Sequence, residues 1–248
     1  MQAFDAQAEQ DFFSLFNKYY DLEKSTVRQN YPGNYSIDRM YPLAELAGNP
    51  ERKLKLIHVA GSKGKGSTCH FICSLLNASS QGCGLFSSPH LYTVRERFQI
   101  NNQLISYEKL LTEGKKFAEL LESTDLQPSL FEIFTVFSLS LFVKEALPWA
   151  VLETGIGGTL DSTNFISAPA CTVITPISID HQALLGKDIA SIAAEKAGIL
   201  KSGSPLVLAK QNYPEAENII LQRVEKLNIA VKQVKDKHFT KELILPGS

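Results

Sequence analysis

The sequence is short of several things, and each shortage excludes something. No uncharged apolar run approaches the roughly 18 residues a membrane span needs, so no membrane partner is expected. Lys and Arg number 25 against 26 Asp and Glu, leaving a net charge of −1, so there is no general attraction to nucleic acid or an anionic surface. Any anion must be held by a local cluster. The four cysteines are too few for a disulfide framework. Cys69 and Cys73 lie one helical turn apart and Cys83 and Cys171 sit in apolar runs, with no histidine following at zinc-finger spacing, so all four read as small buried hydrophobes. There is no internal repeat or low-complexity linker. Residues 1–11 carry acidic groups and no apolar run of signal-peptide length, which with the missing spans gives the expectation of a cytoplasmic protein. The 248 residues, 21% of them charged, suffice for one large α/β domain with a sizeable core.

What is present is sharper. The stretch Ile57-His58-Val59-Ala60-Gly61-Ser62-Lys63-Gly64-Lys65-Gly66-Ser67-Thr68 reads as a buried strand, a glycine-rich turn, and a lysine with two hydroxyls opening a helix. Glycines let the backbone curl until its N–H groups face inward, and the helix start adds positive potential. Lys65 supplies a point charge and Ser67 a hydroxyl beside a bound Mg²⁺. Two lysines in such a turn repel unless an anion lies between them. The pattern therefore predicts a phosphate cradle over residues 61–67 that handles a nucleoside triphosphate. Its spacing is shorter than the common G-x-x-x-x-G-K-[ST] loop, and Gly66 stands where a hydroxyl residue usually follows the lysine. A left-handed turn without a ligand is the plain structural alternative.

Around this loop, helix and strand signals alternate as a doubly wound, mostly parallel α/β sheet requires. Ser36 caps a helix with Ile37, Met40, Leu43 and Leu46 at helical spacing, stopped by Gly48 and Pro50. Strands are expected at residues 54–60, 84–86, 149–152, 171–174, 206–209 and 229–234. Phe71, Ile72, Leu75 and Leu76 are expected to form the buried face of the helix after the loop. Residues 95–106 read as a hairpin with Asn101-Asn102 at its tip, and helices are expected at 107–122, 130–146, 187–200 and 214–227.

Polar groups gather after the strands, where open α/β sheets bind ligands. Glu153-Thr154-Gly155-Ile156-Gly157-Gly158 puts a carboxylate at a strand end before a flexible turn, and Asp161-Ser162-Thr163-Asn164 follows. Thr175-Pro176-Ile177-Ser178-Ile179-Asp180-His181 stands after another strand. Hard oxygen ligands suit Mg²⁺ shared with phosphates, so Glu153 beside Ser67 or Ser88 is a candidate ligand, whereas His181 is a less usual one.

The motifs Gly61-Ser62-Lys63-Gly64-Lys65-Gly66-Ser67, Ser87-Ser88-Pro89-His90-Leu91, Arg95-Glu96-Arg97, Glu153-Thr154-Gly155-Ile156-Gly157-Gly158, Asp161-Ser162-Thr163-Asn164, Asp180-His181 and Glu195-Lys196-Ala197-Gly198-Ile199 occur in one order. In that order the chain resembles the folylpolyglutamate synthase family, including its bifunctional dihydrofolate synthase form, within the Mur ligase superfamily. The likeness runs from Tyr35 onward. It implies a Mur-ligase-type domain in which ATP phosphorylates a carboxylate of dihydropteroate or a folate and the amine of L-glutamate attacks the acyl phosphate. Phosphoryl transfer of this kind asks for positioning and charge neutralisation rather than a protein nucleophile.

By the same resemblance, Ser62 to Lys65 hold the triphosphate, and Ser88, Glu153 and His181 match the magnesium ligands. Lys65, His181 and Lys196 are the catalytic candidates, Lys196 matching a lysine carbamylated in these enzymes so that it can hold a second Mg²⁺. A solvated helix lysine is its plain alternative. Ser129, Leu130, Phe131 and Glu132, with Leu160, Asp161 and Ser162, match pterin-contacting positions; Phe131 is otherwise a core aromatic. Thr159 stands where bacterial members commonly carry arginine.

Family members continue through a leucine-proline-glycine segment and a histidine into a Rossmann-like domain with glutamate and adenine contacts, whereas this sequence closes at Leu245-Pro246-Gly247-Ser248. The expectation is the ATP- and folate-binding part without that domain, whether as a piece, one product of a split gene or a natural short form. Three readings stand: the ATP-binding part of a folate:glutamate ligase, another Mur-type amino-acid ligase, or a non-catalytic nucleotide- or folate-binding module that works with a separately encoded C-terminal domain.

Overall fold

A computed structural model of the chain describes residues 4–21, 36–179 and 188–234. Fifteen main elements follow in order among them. α1 (Ala6–Ser14) precedes α2 (Met40–Leu46), β1 (Lys55–Ala60), α3 (Lys65–Ala78), β2 (Cys83–Phe86), β3 (Phe98–Ile100), β4 (Gln103–Leu104) and α4 (Tyr107–Glu122). Then come α5 (Leu130–Lys144), β5 (Trp149–Glu153), β6 (Cys171–Ile174), α6 (Ile189–Ala197), β7 (Leu206–Leu208), α7 (Pro214–Leu227) and β8 (Val231–Gln233).

The strands form one sheet in the order β4-β3-β2-β5-β1-β6-β7-β8. The six strands from β2 to β8 in that order pair in parallel, and β3 runs antiparallel to both of its neighbours, β2 and β4. The chain leaves β1, builds β2 beyond the place β5 will take, returns as β5, then crosses to β6 on the other side. That reversal at β1 opens a crevice at the strands' carboxyl ends, where such sheets bind ligands.

Strand alternation divides the core. Val59, Cys83, Leu85, Val151 and Val173 face α3 and meet its Cys69 and Cys73. On the opposite face Leu56, Phe86, Ala150 and Leu152 pack with α1, α2, α4 and α5, while Ile174, Leu206 and Leu208 pack with α6 and α7. Gly84 is needed there, because a Cβ on it would lie 2.3 Å from the ring of Phe142.

The spacing readings hold for most elements and fail at α3. Phe71 and Leu75 are 71% and 69% exposed, so they do not form its buried face. The face toward the sheet is Cys69, Ile72, Cys73 and Leu76, an i, i+3, i+4, i+7 set in which two cysteines take the place of larger apolar residues. The hairpin is shorter than expected as well. Arg95 and Arg97 belong to a 3-10 turn, Val94–Arg97, closed by a Thr93–Glu96 capping box, and pairing starts at Phe98. Asn101 and Asn102 form the tip with φ of 51° and 61°, the left-handed pair a two-residue hairpin turn demands. α1 adds an element that the spacing did not suggest. Its Phe12, with Phe16 in the turn that follows, is buried in an aromatic cluster with Phe98, Phe134 and Phe137.

Candidate functional site

The loop between β1 and α3 is held from below before any ligand arrives. Gly61 has φ of +147°, and a Cβ there would fall 1.8 Å from Thr175 Oγ1. The Ser62 and Lys63 amides donate to the Pro176 carbonyl at 3.2 and 3.3 Å, and Ser62 Oγ donates to Ser178 O at 2.8 Å. These first two amides are therefore turned toward the exit of β6, and the expected inward curl of the whole loop is corrected to its second half. Gly64, at φ +79°, starts α3 with no side-chain cap, and the first helical bond is Thr68 N to Gly64 O at 2.9 Å. The amides of Lys65, Gly66 and Ser67 thus open the helix, with its positive end behind them.

Glu153 closes this start. It ends β5 on the α3 face and is 6% exposed. Its Oε2 accepts from Ser88 N at 3.2 Å, and the Gly66 amide also contributes a hydrogen bond. A Cβ on Gly66 would lie 3.3 Å from that oxygen, so any larger residue after Lys65 would press on the carboxylate. Burial pushes the Glu153 carboxyl above its ordinary range, opposed by the Lys65 charge and the Ser88 and Gly66 amides, while Asp161 adds to the upward push. The structure thus brings Lys65, Gly66, Ser88 and Glu153 together.

Lys196 is 2% exposed and donates from Nζ to Gly61 O at 3.1 Å, so it is no solvated helix lysine. Gly158 allows this approach, since a Cβ on it would lie 2.3 Å from Glu195 O. Thr159, at the position noted for arginine, ties its amide and hydroxyl to the same Glu195 carbonyl at 3.0 and 3.2 Å. Asp180 and His181 lie outside the described residues.

The Ser88 turn is shaped from the side. Glu96 accepts from the amides of Leu91, Tyr92 and Thr93 at 2.7, 2.9 and 3.0 Å. Partial burial acts upward on its carboxyl, but these donors and His90 hold it below the usual range. Arg97 Nε donates to His90 Nδ1 at 2.7 Å.

The pterin candidates divide. Ser129 and Glu132 form the capping box of α5, with Ser129 N donating to Glu132 Oε2 at 2.6 Å, and Glu132 Oε1 pairs with Arg39 at 3.1 Å. Leu130 is buried and Leu160 half exposed, with Ser162 between these extremes. Phe131 is only partly buried and lies 5.6 Å from the Phe86 ring. A Cβ on Gly155 would come within 2.7 Å of Phe131 Cζ and 3.2 Å of Asp161 Oδ2. Asp161 is 7% exposed and accepts from Ile156 N at 2.8 Å, Thr163 N at 2.9 Å and Thr163 Oγ1 at 2.5 Å, so its carboxylate orders the turn after Glu153.

Sequence reading missed two supports. Pro176 holds the loop through its carbonyl. His58, fully buried in β1, sits 2.7 Å from Thr163 Oγ1 through Nε2. A lone imidazole in the apolar run Leu56-Ile57-His58-Val59-Ala60 was the available signal for the second. Among the described residues no three His, Cys, Asp or Glu side chains form a metal cluster, and no helix is long and apolar enough to cross a membrane.

No protein-family model matches the chain. Curated relatives do. Dihydrofolate synthase/folylpolyglutamate synthase of Bacillus subtilis is 41% identical over 219 residues, covering 86% of this chain and 50% of the relative. Folylpolyglutamate synthase of Candida albicans is 38% identical over 194 residues, 72% of this chain and 38% of its own. Among solved structures, the apo form of L. casei FPGS superposes with a TM-score of 0.81 at 30% identity over 91% of this chain and 53% of that one. An FPGS–AMPPCP–folate complex gives 0.82 with the same identity and coverage. The chain spans about half the length of the relatives it matches, or less. Sequence identity and the superposed sheet agree with the motif order, and on that agreement the chain belongs to the folylpolyglutamate synthase/dihydrofolate synthase family.

Proposed function

We propose that this chain is the ATP- and folate-binding part of a ligase that joins L-glutamate to dihydropteroate or a folate through an acyl phosphate. The observation that carries the reading is the buried Glu153 carboxylate set against the Gly66 amide and the Lys65 charge at the uncapped start of α3. An anion at that start is favoured by the helix, and a cation beside Glu153 relieves the cost of burying its charge. Hard oxygens suit Mg²⁺, which takes few protein ligands and shares phosphate oxygens and water. Glu153 and Ser88, with Ser67 following Gly66 in sequence, fit such an ion, and His181 is assigned to it by resemblance alone. The bound ion supplies charge neutralisation for phosphoryl transfer.

In this reading Lys65 and the opening amides of α3 orient the triphosphate, and Phe131 offers a partly open ring face to the pterin. Lys196, held against Gly61, is the residue proposed to take up CO₂ as a carbamate. Glutamate is handled by a separate C-terminal domain, so residues 1–248 act as one domain of a larger assembly. The four free cysteines agree with a reducing, cytoplasmic setting.

Calorimetric titration with a non-hydrolysable ATP analogue, with and without Mg²⁺, tests the assignment. Lys65→Ala removes a charge-assisted contact of about 1.5–3 kcal/mol and weakens affinity roughly ten- to hundredfold. Glu153→Gln keeps the shape and removes the dependence on Mg²⁺. Unchanged affinities in both folded variants would overturn the site.

A further inference from the structure

His58, Thr163 and Asp161 make a buried hydrogen-bond chain that shares no described hydrogen bond with Lys65, Ser88 or Glu153. His58 Nε2 lies 2.7 Å from Thr163 Oγ1, which lies 2.5 Å from Asp161 Oδ1. His58 Nδ1 is buried without a hydrogen-bond partner among the described residues. Burial, reinforced by Lys201, lowers the imidazole to about 3, so the ring carries a single N–H at neutral pH.

That proton has two places. With it on Nε2, the ring donates to Thr163 Oγ1 and the hydroxyl donates onward to an ionised Asp161. With it on Nδ1, Nε2 must accept from the hydroxyl, Thr163 Oγ1 must accept from Asp161, and the carboxyl must hold an added proton. The second arrangement buries an N–H with no acceptor, whereas the first leaves only a lone pair unused, and a buried donor without a partner loses a full hydrogen bond.

We infer that His58 is fixed as its Nε2–H form and, through Thr163, acts as a positioning residue that keeps Asp161 ionised and aimed at the Ile156 amide. The turn so held places Gly155 directly against Phe131. This rests on the folate reading of Phe131, and it assigns the chain to recognition of the flat ring rather than of the phosphates. Nitrogen-15 spectroscopy of His58 reads the ring directly, with Nε2 protonated and Nδ1 bare as the expected result. A protonated Nδ1 would overturn the inference whatever the ligands do.

Calorimetry with folic acid, in the presence of Mg²⁺ and the ATP analogue, reads the consequence. Thr163→Val keeps the shape and amide but removes the hydroxyl, and should weaken folate binding about tenfold while leaving nucleotide affinity within about threefold. Thr163→Ser should restore folate binding. Equal loss of both ligands, or no restoration by serine, would mark the chain as general scaffold. Absence of folate binding by the unchanged protein, with nucleotide binding intact, would refute the folate reading and the positioning role together, while the ring spectrum still decides the hydrogen-bond chain.

Discussion

At the scale of single residues, burial of His58 has a consequence for acid stability. Its folded-state value is about 3, below the ordinary 6.5, so between these limits the unfolded chain binds the extra proton. Stability from this group is full above about 6.5 and falls as pH drops, by about 1.4 kcal/mol per unit inside the window. His58→Gln lacks that titration. Acidification from pH 7.5 to 5.5 should therefore lower the melting temperature of the unchanged protein by about 3–6 °C more than that of the variant. Calorimetric melts at both pH values check it, and parallel shifts would show a ring open to protonation in the fold. Glu153 and Asp161 are raised rather than lowered. Both therefore act in the opposite direction, which is why the comparison with His58→Gln is needed.

Among elements, α3 and α5 show where a sequence is readable and where it is not. α5 is apolar almost all round and buried on nearly every side, so its extent was plain although its contacts were not. In α3 Phe71 and Leu75 lie outward, and size misled because two cysteines take sheet-facing positions beside Ile72 and Leu76. Phe71→Ala should cost less than about 0.5 kcal/mol, whereas Phe134→Ala should cost about 3–5. Urea titrations separate the two, and a large loss at Phe71 would mean that its face is covered in solution. The glycine-rich turn before α3, the hairpin tip and the strand-end place of Glu153 were legible because glycine, paired asparagines and a strand-end carboxylate each have few structural uses. The Pro176 support and the His58 chain were not, since they join residues more than a hundred positions apart and leave no spacing to read.

For the whole molecule, the proposal separates binding from turnover. Holding an acyl phosphate against an amine supplies about 7–11 kcal/mol only when both partners are fixed. The purified chain is expected to bind the magnesium nucleotide and to show, at most, slow ATP hydrolysis that does not respond to glutamate. Mass spectrometry of reactions with dihydropteroate, ATP and glutamate checks this, and glutamate-dependent product would mean that this half suffices.

The thiols beneath α3 turn the same molecule into its own clock. Cys69, Cys73 and Cys83 are fully buried between that helix and the sheet, while Cys171 is partly open. A reagent reaches the first three only when α3 lifts, and burial of Cys69 further disfavours its thiolate. In the proposed assignment, nucleotide seated on the first turn of α3 binds the closed form alone. At a concentration about 100 times its Kd it should slow labelling of these three about hundredfold and leave Cys171 unchanged, so a reaction as ordinary as alkylation reports how firmly the helix is held down.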